Sequence, residues 1–540
     1  MDYQKIANLN QNYTIIIFSF LAIISIYYFI CFFAANDKKS IPRPRGLPFL
    51  GNVLDMTPER ILDSLEKYEK LFGSIFELYA FFQRYICISD LKLTTEILMK
   101  RPKTFRRSAV FVGNAKFLHL ESGLFHSEGT LWGRMRRINA PSFNRKTLSK
   151  MIGAMQKEVS VLVEKLNGTA DRLEPVEIRE EMIYLAVRVI SQVAFGGDSV
   201  QSPEVREYCT SKQLVNDLNA ISQCSIFQII FPLPRFVWLW SPLYYIYEIP
   251  AAAADKRVSD ACYDMIVRKR KDLSEGKDIS NSTLIEVLLR QEGGESTPTT
   301  DRDNKISDDE LLASIKTFFF GGSDTTAIAL TWTIFYLSQH PEVLIELRVE
   351  VDKYYSERSY FGGNTSSGNL LDLEDKKEEE SKLNAEMDRI YNLVKCKAAM
   401  KESIRLTAPA NNLLLETTDS QPVTLSNGTI IYPNDQIFVN LDAFLWNPTI
   451  FPQPKEFLPE RWLNADADQL ATMDSYFLAF GAGPRKCPGY SLSSELEGPL
   501  LVAAIVRHFD FKLTCKPSKV KREFFQEPTK IPMQFYRRKL

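Results

Sequence analysis

The sequence predicts a mainly helical chain with a small β portion, an α+β fold, preceded by one transmembrane helix. Two long stretches, Asp308–Gln339 and residues 383–406, have helix-compatible spacing of apolar residues. Strand-like runs are few and short, and two of them, residues 423–425 and 429–432, flank a Ser-Asn-Gly turn that is typical of a β-hairpin. An uncharged apolar run at residues 13–35 precedes all of these elements.

The apolar run at residues 13–35 predicts a membrane anchor, because at about 1.5 Å per residue it is long enough to cross a bilayer as a helix. A cleaved signal peptide is the alternative, but the run is roughly twice the usual hydrophobic region and no strongly basic segment precedes it. Only Lys5 is basic before the run, whereas four basic residues follow it: Lys38, Lys39, Arg43 and Arg45. The positive-inside rule therefore predicts a short lumenal N-terminus, residues 1–12, and a cytoplasmic location for the rest of a single-pass protein.

A proline-rich linker and one large domain follow the anchor. Within residues 36–52, Pro42, Pro44 and Pro48 restrict the backbone and push the preceding residues to extended geometry, which predicts a stiff spacer. The length of 540 residues would allow several domains, but we expect residues 53–540 to form a single catalytic unit. With 45 % apolar and 25 % charged residues, this unit has the composition of a globular protein with a sizeable core.

The elements of this domain begin with an alternation of helix and strand. A helical pattern at residues 58–72 is followed by β-rich runs at 74–79 and 85–88, after which long helical patterns dominate. Two segments, 274–305 and 354–382, are rich in Gly, Ser and charge. This composition predicts that both segments are solvated loops, and we expect the second to be a mobile insert.

A second apolar concentration lies at residues 221–254, where prolines and polar residues exclude a membrane span. Two interpretations are equally open. The segment is part of the core, or it forms an interfacial patch that dips into lipid beside a substrate entrance, as its Trp and Tyr content would suit.

Charge and cysteine content exclude several classes of function. The formal net charge is -1, and basic residues are spread among nearly equal numbers of acids, so nothing indicates a nucleic-acid partner. The eight cysteines are far apart with no Cys-x-x-Cys spacing, which argues against a zinc site and a disulfide scaffold. Most lie beside apolar residues, and we expect them to be buried, with Cys487 as the exception.

Residues 480–489, Phe-Gly-Ala-Gly-Pro-Arg-Lys-Cys-Pro-Gly, match F-G-x-G-x-R-x-C-x-G at all six fixed positions. A glycine-rich turn with a buried cysteine is the structural alternative, but a chance match in a chain of this length is roughly one in a hundred thousand. The glycines allow the backbone to pass close under a flat macrocycle, Arg485 can pair with a heme propionate, and Cys487 can supply a thiolate to the iron. Backbone N–H groups and a helix that we expect to begin after Pro488 would stabilise the anion.

This segment resembles the heme-binding loop of the cytochrome P-450 superfamily. The resemblance implies the cytochrome P-450 fold over roughly residues 42–540 and a heme b cofactor, with Cys487 as the axial ligand of the iron. It also assigns Phe480 and Arg485 to cofactor binding.

Two fold-holding motifs of that family occur in the expected order. Glu402 and Arg405 match a structural ion pair of residues three apart, and residues 459–462, Pro-Glu-Arg-Trp, match the turn that supplies its third partner. Glu386 and Arg389 also fit the Glu-x-x-Arg pattern, but the later copy has the family's usual distance to the cysteine segment.

Two further motifs concern the cofactor and oxygen. Trp132 and Arg136 resemble the family's W-x-x-x-R helix, which implies that both reach a heme propionate. Residues 321–326, Gly-Gly-Ser-Asp-Thr-Thr, resemble the family's [AG]-G-x-[DE]-T-[ST] motif at every position. Small residues there weaken the helical ladder and leave room for O2, Thr325 can hold an oxygen atom or a water, and Asp324 can relay protons, so both are predicted catalytic residues. The alternative is a Ser/Thr bend in a buried helix.

Three positions depart from the family's pattern. Leu415 stands where many relatives have an arginine that helps to bind a propionate, so that contact is missing or moved. After the cysteine, Ser493 replaces an alanine and Leu496 replaces a glutamate.

The resemblance implies a heme-thiolate monooxygenase of the microsomal type, located in the endoplasmic reticulum membrane, that inserts one atom of O2 into a lipophilic substrate such as a fatty acid, sterol or terpenoid. Its electrons would come from NADPH through a separate flavoprotein reductase, with a small electron-transfer heme protein as a further candidate, because the chain has no flavin or nicotinamide motif. The alternatives are a heme-thiolate isomerase or dehydratase, against which Asp324 and Thr325 count, and a non-catalytic heme-binding membrane protein. Substrate choice is expected to depend on five segments: residues 105–124, 221–240, 318–322, 409–415 and 529–531.

Overall fold

The computed structural model describes residues 41–48, 50–57, 60–81, 83–109, 119–195, 202–230, 235–276, 283–292, 306–359, 373–515 and 530–539, together with Ser19. The predicted lumenal segment 1–12 and, apart from Ser19, the predicted anchor at residues 13–35 lie outside the described residues. Within the described part of the chain, no helix is both long enough and apolar enough to cross a membrane.

Helices form most of the described chain, as predicted. In chain order they are α1 (Ile61–Phe72), α2 (Leu91–Met99), α3 (Gly129–Asn139), α4 (Arg145–Arg172), α5 (Ile178–Phe195), α6 (Pro203–Thr210), α7 (Lys212–Ile230), α8 (Arg235–Trp240), α9 (Ile249–Ser274), α10 (Leu284–Glu292), α11 (Asp308–Gln339), α12 (Pro341–Ser359), α13 (Leu373–Tyr391), α14 (Val394–Leu406), α15 (Asp442–Leu445), α16 (Glu460–Leu463), α17 (Ala467–Tyr476) and α18 (Gly498–His508). Two π-helices, Tyr244–Glu248 and Ser491–Glu497, lead directly into α9 and α18.

The strands form a small β portion, also as predicted. They are β1 (Ile75–Ala80), β2 (Gln83–Ile88), β3 (Phe105–Arg107), β4 (Val176–Glu177), β5 (Asn412–Thr417), β6 (Val423–Thr424), β7 (Ile430–Ile431), β8 (Gln436–Asn440), β9 (Phe509–Leu513) and β10 (Pro532–Arg537). The largest sheet has the order β1-β2-β8-β5-β3 and is antiparallel except for the β2–β8 pair. A second sheet has the order β4-β10-β9, and β6 with β7 is the predicted hairpin.

Helix α11 runs through the core and has the bounds that the sequence predicts. Ser307 and Glu310 form a reciprocal capping box at its start, and the acidic first turn suits the positive end of the helix dipole. Buried side chains occur all around its 32 residues, which is typical of a helix enclosed by others. Its most extensive packing is against α5, with α14 next.

A buried ion network ties α14 to the segment after β8. The carboxylate of Glu402 accepts hydrogen bonds from Arg405 at 2.8 and 2.9 Å, from Arg461 Nε at 2.9 Å and from Trp462 Nε1 at 2.9 Å. The side chains of Glu402 and Arg405 are both fully buried. The other Glu-x-x-Arg copy, Glu386 with Arg389, makes one contact of 3.4 Å, so the geometry supports the choice of the later copy.

Two predicted boundaries are wrong for reasons that involve distant contacts. The single helix expected at residues 383–406 is divided at Asn392 and Leu393. The carboxylate of Glu350, on α12, accepts hydrogen bonds from the N–H groups of Lys395 at 2.9 Å and Cys396 at 3.1 Å, and so caps α14 from outside.

The loop expected at residues 274–305 contains a helix, α10, because its apolar residues find buried positions. Leu284, Ile285 and Leu288 are no more than 1 % exposed in the main core. In the expected insert at residues 354–382, the end of α12 and the start of α13 extend into the range, and residues 360–372 lie outside the described part.

Residues 221–254 divide into a buried part and an exposed apolar part. Trp238 is buried and its Nε1–H donates to the carboxylate of Glu248. Beside it, five apolar side chains are 39–89 % exposed, with Trp240 at the upper limit. We call these five residues the apolar patch: Leu239, Trp240, Tyr245, Ile246 and Ile249.

Candidate active site

The loop that carries Cys487 is shaped by glycines and one backbone hydrogen bond. Cys487 N–H donates to the carbonyl of Phe480 at 2.9 Å, which closes the loop between them. Gly481 and Gly483 both have φ of +68°, a conformation that side chains disfavour. A Cβ on Gly483 would also lie 2.7 Å from the carbonyl oxygen of Leu98, so this position requires glycine.

The thiol of Cys487 lies deep in the protein and yet is accessible. Burial raises the pKa of the thiol, and the N–H groups of Gly489 and Tyr490 and the positive charge of Arg136 offset only part of this rise. At the same time its surface is exposed, unlike that of the buried cysteines elsewhere in the described chain. We infer from this combination that the sulfur of Cys487 faces a space enclosed by protein. N–H donors and a cation around a sulfur atom stabilise the thiolate that a metal ion would bind.

Three arginines gather beside this space, and we call them the arginine cluster: Arg101, Arg107 and Arg485. The side chains of Arg101 and Arg485 are each 3 % exposed. The guanidinium of Arg485 contacts the carboxylate of Glu128 at 2.5 Å and stacks over the ring of Trp132, 4.5 Å from its centroid. Glu128 lies 3.9 Å from Arg101 and accepts the backbone N–H of Arg107 at 3.1 Å.

The arginine cluster has more positive charge than its surroundings offset. Burial lowers the pKa of Arg485 to about 10, opposed by Glu128 and reinforced by Arg101. Burial, and then Arg101 and Arg485, lower the pKa of Arg107. Arg101 Nε and Nη2 and Arg485 Nε find no hydrogen-bond partner within the described residues. Because guanidinium groups stay charged in proteins, three guanidinium groups gathered around the carboxylate of Glu128 favour the binding of an anionic group.

The predicted cofactor-binding residues come together in this structure. Trp132 and Arg136 lie on α3, where Trp132 is buried under Arg485 and Arg136 is close enough for its charge to act on Cys487. The ring of Phe480 packs edge-on against Tyr490, with 5.0 Å between centroids. Side chains from α3, β3 and the loop before α18 therefore line one region.

One face of the Gly-Gly-Ser-Asp-Thr-Thr motif of α11 is exposed, and the opposite face is closely packed. Gly321 is exposed although it lies in the middle of a core helix, and a Cβ there would meet no described atom within 4 Å. A Cβ on Gly322 would lie 2.8 Å from Ile190, so this second glycine permits the close packing of α11 on α5. The hydroxyl of Thr325 donates to Gly321 O at 2.7 Å. The motif thus combines a tight contact on one face with a space on the other.

Asp324 has one charged neighbour that acts on its pKa. Burial raises the pKa of this carboxyl and the positive charge of Arg179, on α5, lowers it. Its side chain borders a small cavity with Ile183, Leu218 and Asn219. A carboxyl whose pKa is raised by burial and lowered by a nearby cation can change its protonation during a reaction, which suits a proton relay.

Comparison with known proteins identifies the family. The family model for cytochrome P450 matches residues 41–535.

This chain belongs to the cytochrome P450 family.

Its curated relatives include cytochrome P450 4d2 of Drosophila melanogaster, which is 25 % identical over 496 residues, 87 % of this chain and 88 % of the relative. Cytochrome P450 4c21 of Blattella germanica is 25 % identical over 546 residues and covers 96 % and 98 % of the two chains. Cytochrome P450 3A27 of Oncorhynchus mykiss is 23 % identical over 507 residues, which cover 92 % of this chain and 88 % of the relative. The chain is therefore a heme-thiolate monooxygenase that uses O2, electrons from a redox partner and lipophilic substrates.

The structure accounts for two departures of this P450 from the family's pattern. Residues 491–497 form a π-helix, which accommodates one extra residue in a turn. The family's pattern expects a glutamate at the position of Leu496, and in this chain a buried glutamate, Glu497, follows one position later. The hydroxyl of Ser493, which replaces the family's alanine, lies 3.3 Å from the hydroxyl of Thr326. This contact links the π-helix to the oxygen motif of α11.

Sequence reasoning missed three residues of this P450 site: Arg101, Arg107 and Glu128. None belongs to a motif: Arg101 and Arg107 are close together in the chain, at and just before β3, and Glu128 joins them from the residue before α3. The sequence did contain a signal, the three arginines Arg101, Arg106 and Arg107 in and just before β3, which a search for anion-binding groups would have found.

Proposed function

We propose that Cys487 is the axial thiolate ligand of a heme b, and that Arg485, Trp132 and Arg136 hold its propionate side. The observation that carries the proposal is the accessible sulfur of Cys487, deep in the protein and surrounded by N–H donors and a cation. The arginine cluster supports it, since two propionates are the anions that its surplus charge would accept. Phe480 belongs to the same loop, since its carbonyl accepts the N–H of Cys487 at 2.9 Å and its ring packs against Tyr490.

The residues of α11 have separate roles in this proposal. When bound, the heme iron activates O2, and a thiolate ligand favours cleavage of the O–O bond. Gly321 leaves room for the oxygen molecule, Thr325 holds an oxygen atom or a water through its hydroxyl, and Asp324 passes protons toward Thr325.

The wider setting is part of the same proposal. Electrons come from NADPH through a separate flavoprotein reductase, with a small electron-transfer heme protein as a further donor, and the substrate is a fatty acid, sterol, terpenoid or similar molecule that is hydroxylated. Residues 53–540 form the catalytic domain, linked by residues 36–52 to a single-pass anchor at 13–35 in the endoplasmic reticulum membrane, with the domain in the cytoplasm. The apolar patch supports contact with lipid, because exposed Trp and Tyr suit the interface of a bilayer.

The test of the proposed ligand is the spectrum of the reduced, carbon monoxide-bound full chain. We expect a red-shifted band typical of thiolate ligation in the wild type, and its loss in Cys487→Ala. Cys515→Ala is the matched control, since Cys515 is also exposed but lies far along the chain from the loop. A band that survives in Cys487→Ala, or is lost equally in both variants, contradicts the assignment.

The test of the oxygen chemistry is the balance between reductant and product. We expect Thr325→Ala to retain heme but to consume reductant without matching product, releasing hydrogen peroxide. Unchanged coupling would remove Thr325 from the mechanism. Turnover without any consumption of reductant would favour the isomerase or dehydratase alternative.

A further inference from the structure

A buried lysine joins two helices of the core. The side chain of Lys316, on α11, has no exposed surface, and its Nζ donates to the carboxylate of Asp255 at 2.5 Å and to the hydroxyl of Ser259 at 3.0 Å. Both partners lie on α9, four residues apart and therefore on one face of that helix. The side chain of Asp255 is only 6 % exposed. The interface between α9 and α11 thus contains an ion pair that is shielded from solvent.

This ion pair makes the two helices easier to separate than an apolar contact would. Asp255 is flanked on α9 by the buried apolar residues Ala254 and Val258, so both charges lose their hydration when the helices meet. Replacing a buried ion pair by apolar residues of similar volume often leaves a protein equally stable or makes it more stable. If α9 moves away from α11, water solvates both charges again, whereas newly exposed apolar side chains would oppose the movement.

Helix α9 is connected through α7 to the surroundings of the oxygen motif. The most extensive packing of α7 is against α9. Leu218 and Asn219, on α7, line the small cavity that Asp324 borders. A movement of α9 away from α11 that carries α7 with it would therefore open the region beside this motif.

A third element meets the ion pair at Asp255. The ring of His119 lies with Nδ1 3.5 Å from the second oxygen of this carboxylate. His119 belongs to residues 119–128, which also reach the loop of the candidate site, because Arg485 donates to the carbonyl of Ser127 at 2.5 Å. One carboxylate thus joins α9, α11 and a segment that borders the site.

We propose that α9 moves away from α11 to admit substrate, and that Lys316 and Asp255 form a polar latch in this interface. The latch is closed in this structure, and hydration of its two charges lowers the free energy of opening. The inference rests on the proposed function, since the site that opens is the proposed monooxygenase site, and it assigns a role to two residues that belong to none of the sequence motifs.

The experiment measures hydrogen–deuterium exchange of the backbone amides of α9 in the full-length holoenzyme by mass spectrometry. Asp255→Asn leaves the ammonium group of Lys316 in the interface without a carboxylate, so exchange should be at least about tenfold faster than in the wild type. In the double variant Lys316→Met with Asp255→Leu, both charges are replaced by apolar groups, so exchange should be about five- to tenfold slower.

The opposite directions distinguish a latch from an ion pair that only holds the helices together. Such a pair would give faster exchange in both variants, and exchange at the wild-type rate in the double variant would show that the charges do not ease opening. Either result overturns the inference. The double variant has no unpaired buried charge, so it tests the latch even where Asp255→Asn does not fold.

The matched control is an exposed ion pair between the same two helices. Arg270, on α9, donates to Asp308, on α11, at 2.5 Å, and both side chains are at least 32 % exposed. Exposed pairs contribute little, so exchange in Arg270→Gln should stay within about twofold of the wild type. A change as large as that of Asp255→Asn would show that burial of the pair is irrelevant and would contradict the latch.

Entry to the site is measured separately, as the rate at which 4-phenylimidazole binds to the ferric protein in stopped-flow absorbance. Binding should be faster than in the wild type for Asp255→Asn and slower for the double variant. Altered exchange in α9 with unchanged binding rates would reject a role in admitting substrate. The absence of a thiolate-type carbon monoxide band in the wild type would reject the proposed function itself, while the exchange measurement still tests the movement of α9.

Discussion

Replacing Glu402 with glutamine tests how far the fold depends on one buried carboxylate. Glu402 accepts hydrogen bonds from Arg405, Arg461 and Trp462, and from the backbone N–H of Leu458 at 3.2 Å. Glutamine preserves the shape and one carbonyl oxygen, but it removes the negative charge and turns its other acceptor into a donor. Arg405, which is fully buried, would then have no carboxylate partner at this position.

The expected cost follows from that burial. Removing one partner of a buried ion pair destabilises a protein by about 3–5 kcal/mol, since the remaining charge is left desolvated. Arg405 keeps bonds to the carbonyl groups of Leu445 at 2.8 Å and Pro454 at 2.7 Å, which favours the lower end of that range. Exposed pairs are worth much less, typically below about 1 kcal/mol.

The assay compares urea unfolding of Glu402→Gln with that of Glu386→Gln, followed by far-ultraviolet circular dichroism on the same preparations. Glu386 belongs to the other Glu-x-x-Arg copy and also accepts hydrogen bonds from the neutral groups Gln156 Nε2 at 2.7 Å and Tyr354 OH at 2.9 Å. Its arginine contact is longer, 3.4 Å, and neither side chain of that pair is fully buried, so Glu386→Gln serves as the control for loss of a carboxylate that pairs with a fully buried cation. We expect a large fall in the unfolding midpoint for Glu402→Gln and a small one for Glu386→Gln, at unchanged slope. Equal shifts in the two variants would refute the reasoning from burial.

Two further predictions concern α11 and the π-helix. Gly322→Ala should lower the free energy of unfolding by about 1–3 kcal/mol, seen as a lower thermal midpoint, because the new Cβ would lie 2.8 Å from Ile190. Gly321→Ala places its Cβ against no described atom and should not lower the midpoint, and equal midpoints in the two variants would contradict this account. Burial raises the pKa of Glu497 to about 8 from its ordinary value of 4.5, so the stability that its protonated form contributes is complete below about pH 4.5 and is lost as the pH rises through 8. The free energy of unfolding of Glu497→Gln should therefore rise relative to that of the wild type, by up to about 4 kcal/mol, as the pH is raised from about 5 to about 9. If the difference between the two proteins stays constant over this range, Glu497 does not titrate in this way.

Local patterns were sufficient for several parts of this P450. Helix α11 was predicted with its correct bounds, because the Ser307–Glu310 capping box and the spacing of its apolar residues lie within the helix itself. The loop of Cys487 was predicted for a similar reason, since its glycines are required by backbone angles within the loop.

Other parts depended on contacts that local patterns do not contain. The division of residues 383–406 into two helices reflects a cap from Glu350, on a different helix. Helix α10 forms in a segment of loop-like composition because its few apolar residues are buried by the rest of the core. The late position of Glu497 depends on a π-helix that the motif pattern does not reveal.

The sequence by itself determined the family, the cysteine of the proposed heme site and the motif on α11, because each is encoded in a short run of residues whose chemistry and backbone demands are local. Only the tertiary structure showed that Arg101 and Arg107 join Arg485, which the motif had assigned, beside that site. Arg107 and Leu415 are far apart in the chain and become neighbours through the pairing of β3 with β5, and Arg101 and Glu128 join them from two other segments. Charge balance in a buried site is a sum over all the segments that meet there, and that sum exists only once the chain has folded.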